Sequence, residues 1–392
     1  MWLTNCAIID VRDGTTRRDA SIEISDGVIR RIVSGRRAGA DCIDLKGRYL
    51  MPGIISCHTH LWVVLPFADA SRSESPALTA LRAARRAKDA LYAGVTTVRT
   101  LSEMYRVDIF VRQAAAKGWV EAPRIVAAGQ ALSVTGGHGS VASSFADGGD
   151  GFLAAARAEL AAGADHIKIF ITGGIMRAGE QLDTPQMTDA EIAGAVRAAT
   201  EHHTYVVAHA ASSGPIRQAL KLGVRGFEHG YRLDDDTAVA MAAAGAYLTP
   251  TLCVSQPRSA DFMRAHGFQP WAIDLALATG IEHRVSIGRA IRAGVTLVNG
   301  TDFPPGAEMD GTSAAVYEME LMVEAGLSPL QSIQAATING ARLCNLSNVG
   351  HIDEGMAADV LALPGDPTVD ITAMRSIQFV MQMGRVVRSD LS

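Results

Sequence analysis

The sequence predicts an α/β fold, a (β/α)8 (TIM) barrel, with a small β-sandwich built from both chain ends. Three observations predict it. Short strand-like runs with turn signals between them occupy the two termini and not the middle. Eight apolar strand-like runs alternate with helical stretches through the middle. The side chains suited to metal binding or proton transfer gather at the C-terminal ends of those eight runs, where barrels carry their chemistry.

At the N-terminus the strands are Cys6–Ile9, Ala20–Ile24 and Val28–Val33, with turns at Asp13-Gly14 and Asp26-Gly27. Asp359–Leu363, Ile377–Met381 and the hairpin return Met383–Val387 have the same texture at the C-terminus. The two ends are expected to pair, giving a sandwich of residues 1–50 and 346–392 around a barrel domain of residues 51–345. The barrel opens on MPGIISCHTHL (Met51–Leu61), an apolar run that reads as a buried parallel strand. A helix from Pro76 to Ala93 follows, with proline at its first turn and Gly94 ending it. Strands two to eight are Thr96–Arg99, Arg124–Ala128, His166–Ile171, Tyr205–His209, Val224–Glu228, Ala246–Thr249 and Val295–Asn299. Helices over Thr188–His202 and Asp234–Ala244 lie between them.

A chain of 392 residues with 48% hydrophobic residues accommodates one large barrel and an appendage. The formal net charge of -5 gives no reason to expect a nucleic acid or an anionic membrane as partner. No apolar run approaches the roughly 20 residues of a membrane span. The N-terminal MWLTNCAIIDVRDG lacks a basic region followed by a long apolar stretch, so no signal peptide is expected. Cys6, Cys42, Cys57, Cys253 and Cys344 are odd in number and contain no CxxC, and read as reduced thiols of a cytoplasmic protein.

Successive strand residues face opposite ways, so His58 and His60 project together from strand one. Paired imidazoles begin a transition-metal site. Strand five ends in His209, strand six in His229 and strand eight in Asp302. Each alone has an ordinary structural explanation, a hydrogen-bonded histidine or a capping aspartate. Together, on strands that meet at one mouth, they point to a metal site. Lys168 stands inside the apolar run DHIKIFITGG. A buried amine has a depressed pKa. In its neutral form it can add carbon dioxide, and the resulting carbamate can bridge two cations.

His58, His60, Lys168, His209, His229 and Asp302 together resemble the amidohydrolase superfamily in its binuclear, carboxylated-lysine form. SVTGGHGS (Ser133–Ser140), KIFITGG (Lys168–Gly174), FEHGYRLDD (Phe227–Asp235), LTPTL (Leu248–Leu252), VYEMELMVEAGLSP (Val316–Pro329) and GHIDEGMAADVLAL (Gly350–Leu363) extend the resemblance over nearly the whole chain. They resemble the imidazolonepropionase-like branch with its Xaa-Pro and Xaa-Arg dipeptidases and ochratoxin-type amidases. The resemblance implies two divalent metal ions, zinc foremost, and an N-carboxylated Lys168 bridging them. It assigns His58, His60 and Asp302 to the more buried ion, and His209 and His229 to the more exposed one. It implies hydrolysis of an amide-type C–N bond by a metal-bridging hydroxide, with Asp302 as proton shuttle. The substrate the resemblance implies is an N-acyl amino acid, dipeptide, carbamate or cyclic amide. His138 is expected at the substrate carbonyl and Tyr231 at the substrate; His202 and His203 are expected in solvent. A small-molecule substrate and a homo-oligomer are expected, without nucleic acid or membrane.

Three positions depart from the branch: Ala211 where a His or Tyr commonly helps hold a substrate carboxylate, Thr100 in TTVRT, and Asp310-Gly311 after strand eight. A mononuclear deaminase of the same superfamily is the alternative, but HAASS (residues 209–213) lacks a glutamate after the strand-five histidine and leaves Lys168 without a task. A non-catalytic scaffold relative would be expected to lose ligands, and all six positions are filled.

Overall fold

The computed structural model describes residues 1–64, 73–139, 142–175 and 177–391. Ser140, the last residue of the Ser133–Ser140 motif, lies outside the described residues.

Both termini enter one sheet. Its order is Arg385–Ser389, Phe379–Gln382, Val360–Leu363, Tyr49–Pro52, Trp2–Ile9, Thr16–Ser25, Val28–Ser34, with Cys42–Asp44 also beside Trp2–Ile9. The chain ends join where Val360–Leu363 runs antiparallel to Tyr49–Pro52. Side chains alternate across this seam, as the two-residue period of a strand requires. Leu50, Val360, Ala362, Phe379 and Met381 enter the sheet's own core with Ile22 and Ile29. Met51, Leu361, Leu363 and Val380 enter the core of the central body. The expected sandwich is thus one continuous hydrogen-bonded sheet. Strand twist coils such a sheet, so strands near its two ends share one core without a separate second layer.

All eight expected central strands are present and parallel, but their ladder falls into two sheets. Ile54–Thr59, Val95–Thr100 and Arg124–Val126 form one. The other contains Ile167–Phe170, Val206–Ser212, Gly226–Arg232, Tyr247–Thr249 and Thr296–Leu297 in that order. A few backbone hydrogen bonds span the gaps, among them Cys57 N to Asn299 O at 2.6 Å and Asp165 N to Ala127 O at 2.7 Å. The ladder is not the closed barrel expected, and the cause is local. Strand three stops at Val126, and an inserted strand, Ala131–Ser133, takes its place beside Ile167–Phe170. Strand eight is two residues long. Its continuation passes so close to strand one that a Cβ built at Gly300 would lie 2.7 Å from His58 N.

The helices begin where the sequence places them. Pro76–Tyr92 starts at its proline, and Thr188 caps Asp189–Glu201 in a reciprocal capping box with Glu191. A 24-residue helix, Pro270–Ala293, ends at Gly294 with φ 82°. No helix among the described residues is long and apolar enough to cross a membrane.

Candidate metal centre

Strand one puts His58 and His60 on the wall of a cavity of about 270 Å³. Lys168, His209, His229, Tyr231, Asp302 and His138 line the same cavity. Every residue expected at the site is therefore at one place, the C-terminal mouth of the parallel strands. His202 and His203 are exposed and far from it in the fold, at the end of helix Asp189–Glu201.

Each ligand candidate has one ring nitrogen engaged by the protein. His58 Nδ1 lies 2.9 Å from Glu228 Oε2, and His60 Nδ1 donates to Ser102 O at 3.1 Å. His229 Nδ1 lies 2.8 Å from Thr251 Oγ1, and His209 Nε2 donates to Gly173 O at 3.1 Å. Such partners select the ring orientation and leave the second nitrogen for a cation. Nε2 of His58 and Nε2 of His60 both lie 3.0 Å from Asp302 Oδ1. His58, His229 and Asp302 each offer a ligand atom, all within 4.8 Å of one another.

The charge states suit a cation as well. Burial pushes His209 and His229 well below the usual imidazole range, and the neighbouring rings add to this. Burial pushes the Asp302 carboxyl up, but His58 and His60 outweigh it and hold the group well below the usual carboxylate range. Neutral imidazoles beside an ionised carboxylate are what a divalent ion requires. Burial pushes the Lys168 ammonium down to about 8, although Glu228 and Asp302 pull the other way. Its Nζ is buried without a hydrogen-bond partner, a costly state for an amine and one that a bound cation or a carbamate would relieve. These residues fit divalent metal ions.

His138 is clamped from four sides. Its ring stacks on His209 at 4.4 Å and meets Phe170 edge-on at 5.2 Å. Its Nδ1 lies 2.5 Å from Glu180 Oε2, and a Cβ at Gly174 would lie 2.7 Å from its Nε2. Tyr231 is buried and stacks parallel to His229, with centroids 5.2 Å apart.

Sequence reasoning missed the groups behind this front. Arg99 and Glu228 are both 0% exposed and paired at 2.7 Å. Burial alone would raise the Glu228 carboxyl, but Arg99 and then His58 hold it far below its ordinary range. The signal was present: an arginine and a glutamate, each within a run read as a barrel strand, require partners if buried. The three departures lie off the cavity wall. Ala211 is buried, with its N–H donating to Thr172 Oγ1. Thr100 donates to the buried Asp108, and Asp310 pairs with Arg258 and Arg375.

A family model described as the amidohydrolase family matches residues 49–387. The ochratoxinase of Aspergillus niger is 28% identical over an alignment covering 92% of this chain and 80% of that protein. The crystal structure of a prolidase complexed with N-methylphosphonate-L-proline has a TM-score of 0.89 and 27% identity, covering 99% of both chains. That of a Xaa-Pro dipeptidase with bound methionine has a TM-score of 0.89 and 28% identity, also covering 99% of both. The match runs from the seam strand Tyr49–Pro52 into the last strand of the terminal sheet, and on it the chain belongs to the amidohydrolase family of carbon–nitrogen hydrolases.

Proposed function

We propose that this chain hydrolyses the amide bond of an N-acyl amino acid or dipeptide carrying an apolar side chain. The observation that carries the proposal is the convergence of six donor residues on one cavity around the unpartnered Lys168 Nζ. The rest of the wall supports the substrate class. Trp62, Phe170, Ile175, Met263, Phe268 and Phe303 make it largely apolar. Among the described lining residues, Arg177 is the one cation besides Lys168. It can receive the carboxylate that Ala211 does not reach. The names of the relatives, an ochratoxinase and a prolidase, agree with an acylated amino acid.

In this reading residues 51–345 act as a (β/α)8 catalytic barrel, and residues 1–50 and 346–392 as its flanking domain. His58, His60 and Asp302 would hold one divalent ion, His209 and His229 a second, and carboxylated Lys168 both. Zinc suits a set so rich in imidazole. Bound there, the two ions would supply Lewis acidity toward the scissile carbonyl and lower the pKa of a shared water. The chain's own residues do the rest. Asp302 accepts the proton of the attacking water and passes it to the leaving nitrogen. His138 presents Nε2 to the carbonyl oxygen, and Tyr231 walls the substrate beside His229. Water exclusion falls to the aromatic rim. The five free thiols suit a reducing, cytoplasmic setting.

The test is metal content after growth with zinc and bicarbonate, for the native chain and for Lys168→Ala. Two equivalents in the former, and one with most activity lost in the latter, are expected. Full activity with two ions retained in Lys168→Ala would refute the bridging role.

A further inference from the structure

His229 and Asp302 are held from behind by a part of the chain that the proposed chemistry does not use. Thr251 supplies the Oγ1 beside His229 Nδ1. It does so at φ 50°, a left-handed backbone that a β-branched residue keeps only where its surroundings impose it. The imposing contacts are on the next two residues. Leu252 N and Cys253 N donate to the two carboxyl oxygens of Glu318, each at 2.8 Å. Glu318 stands on helix Ala314–Glu324 and is 0% exposed. Cys253 reaches on: its Sγ donates to Thr301 O at 2.9 Å, one residue before Asp302. Thr301 N and Asp302 N in turn donate to His58 O at 2.9 and 3.1 Å. One buried carboxyl thus holds a turn from which contacts run to three of the ligand candidates.

We infer that Glu318 is a positioning residue, which clamps the Thr251–Cys253 turn so that Thr251 Oγ1 fixes the His229 ring for its metal ion. The inference rests on the metal reading above. Without the hydroxyl, His229 loses the partner that selects its ring orientation. Partners of this kind are worth about 10–100-fold in metal affinity. Replacing Glu318 by glutamine acts one step further back, because its amide offers one acceptor and turns an NH2 group toward the other backbone N–H.

The experiment uses the full chain stripped of metal, with zinc affinity measured by competition against a chromophoric chelator. The unfolding temperature of the metal-free protein is measured in parallel. Thr251→Ala and Glu318→Gln should each bind the weaker zinc about 10–100-fold less tightly, while Thr251→Ser, which keeps the hydroxyl, should match the native chain. Should Glu318→Gln fail to fold, Thr251→Ala carries the test. Unchanged zinc affinity in Thr251→Ala overturns the inference. So does a Glu318→Gln chain with a lower metal-free unfolding temperature and native zinc affinity, since that is a structural clamp alone. A native chain that binds no zinc, cobalt or manganese would refute the metal reading itself and this inference with it, an outcome distinct from the other two.

Discussion

Replacing Arg99 by leucine should destabilise the chain more than any loss of surface charge. Arg99 Nη2 lies 2.7 Å from Glu228 Oε1, its Nε donates to Cys57 O at 2.5 Å, and neither charged side chain is exposed. At a charge separation of about 4 Å and an effective dielectric constant of about 20, the attraction is about 4 kcal/mol. Removing one member of a buried pair strands the other, at a cost of about 3–5 kcal/mol. A folded protein has about 5–15 kcal/mol in all. With an m value of about 3 kcal/mol/M, the urea midpoint of the metal-free protein should fall by about 1 M or more. The double variant Arg99→Leu/Glu228→Leu strands no ion and should recover most of the loss. The pH dependence has a definite sign. Burial raises the Glu228 carboxyl, yet Arg99 and His58 hold it below its ordinary 4.5. A depressed carboxyl contributes stability above its unfolded pKa and loses it as pH falls through the folded value. The difference between native and Arg99→Leu chains should therefore shrink as pH falls, first above pH 4.5 as the stranded carboxyl of the variant, raised by burial, takes up a proton, and further below 4.5 as the native Glu228 does. A single variant costing under about 1 kcal/mol, or a double variant as damaged as the single ones combined, would refute the reasoning.

Two further outcomes are expected at the site. Asp302→Asn should keep most of its metal but lose turnover by about 10²-fold or more, the usual scale for a positioned acid–base group; an unchanged rate constant would remove Asp302 as proton carrier. Gly174→Ala places a Cβ 2.7 Å from His138 Nε2, an overpacking worth about 1–3 kcal/mol. It should lower kcat while zinc content stays native, and steady-state rates at native level would show that the His138 ring plane does not matter.

Much of this was legible one residue at a time. The eight apolar runs could be read as strands because a strand buried on both faces has to be continuously apolar. His58 and His60 could be paired because a strand's period is two. Boundaries at the mouth were less legible. Strand six was read over Val224–Glu228 with His229 at its end, yet the strand spans Gly226–Arg232. It continues because Ala210 pairs with His229 and Ser212 with Arg232 on the neighbouring strand. Polar residues around a site look like a loop until such a partner is known. The terminal sandwich and the closed barrel were over-simplified for the same reason: hydropathy reports which residues are buried, not which strand lies beside which. The insertion of Ala131–Ser133 between strands three and four leaves no mark in periodicity.

The sequence by itself determined which polar residues gather at one cavity, the parallel αβ body, the pairing of both chain ends, and the anomaly of a lysine in an apolar strand. These follow from local rules, side-chain chemistry and alternation along a few residues. Only the tertiary structure decided what stands behind the donors. Glu228 reaches His58 across 170 positions, Glu180 reaches His138 across 42, and Glu318 reaches Leu252 across 66. Glu228 and Glu318 are buried at positions where an unpartnered carboxyl would only destabilise the fold, and Glu180 is half-buried. A buried carboxyl is tolerated where its partner is supplied, and the partner comes from another element that folding brings alongside.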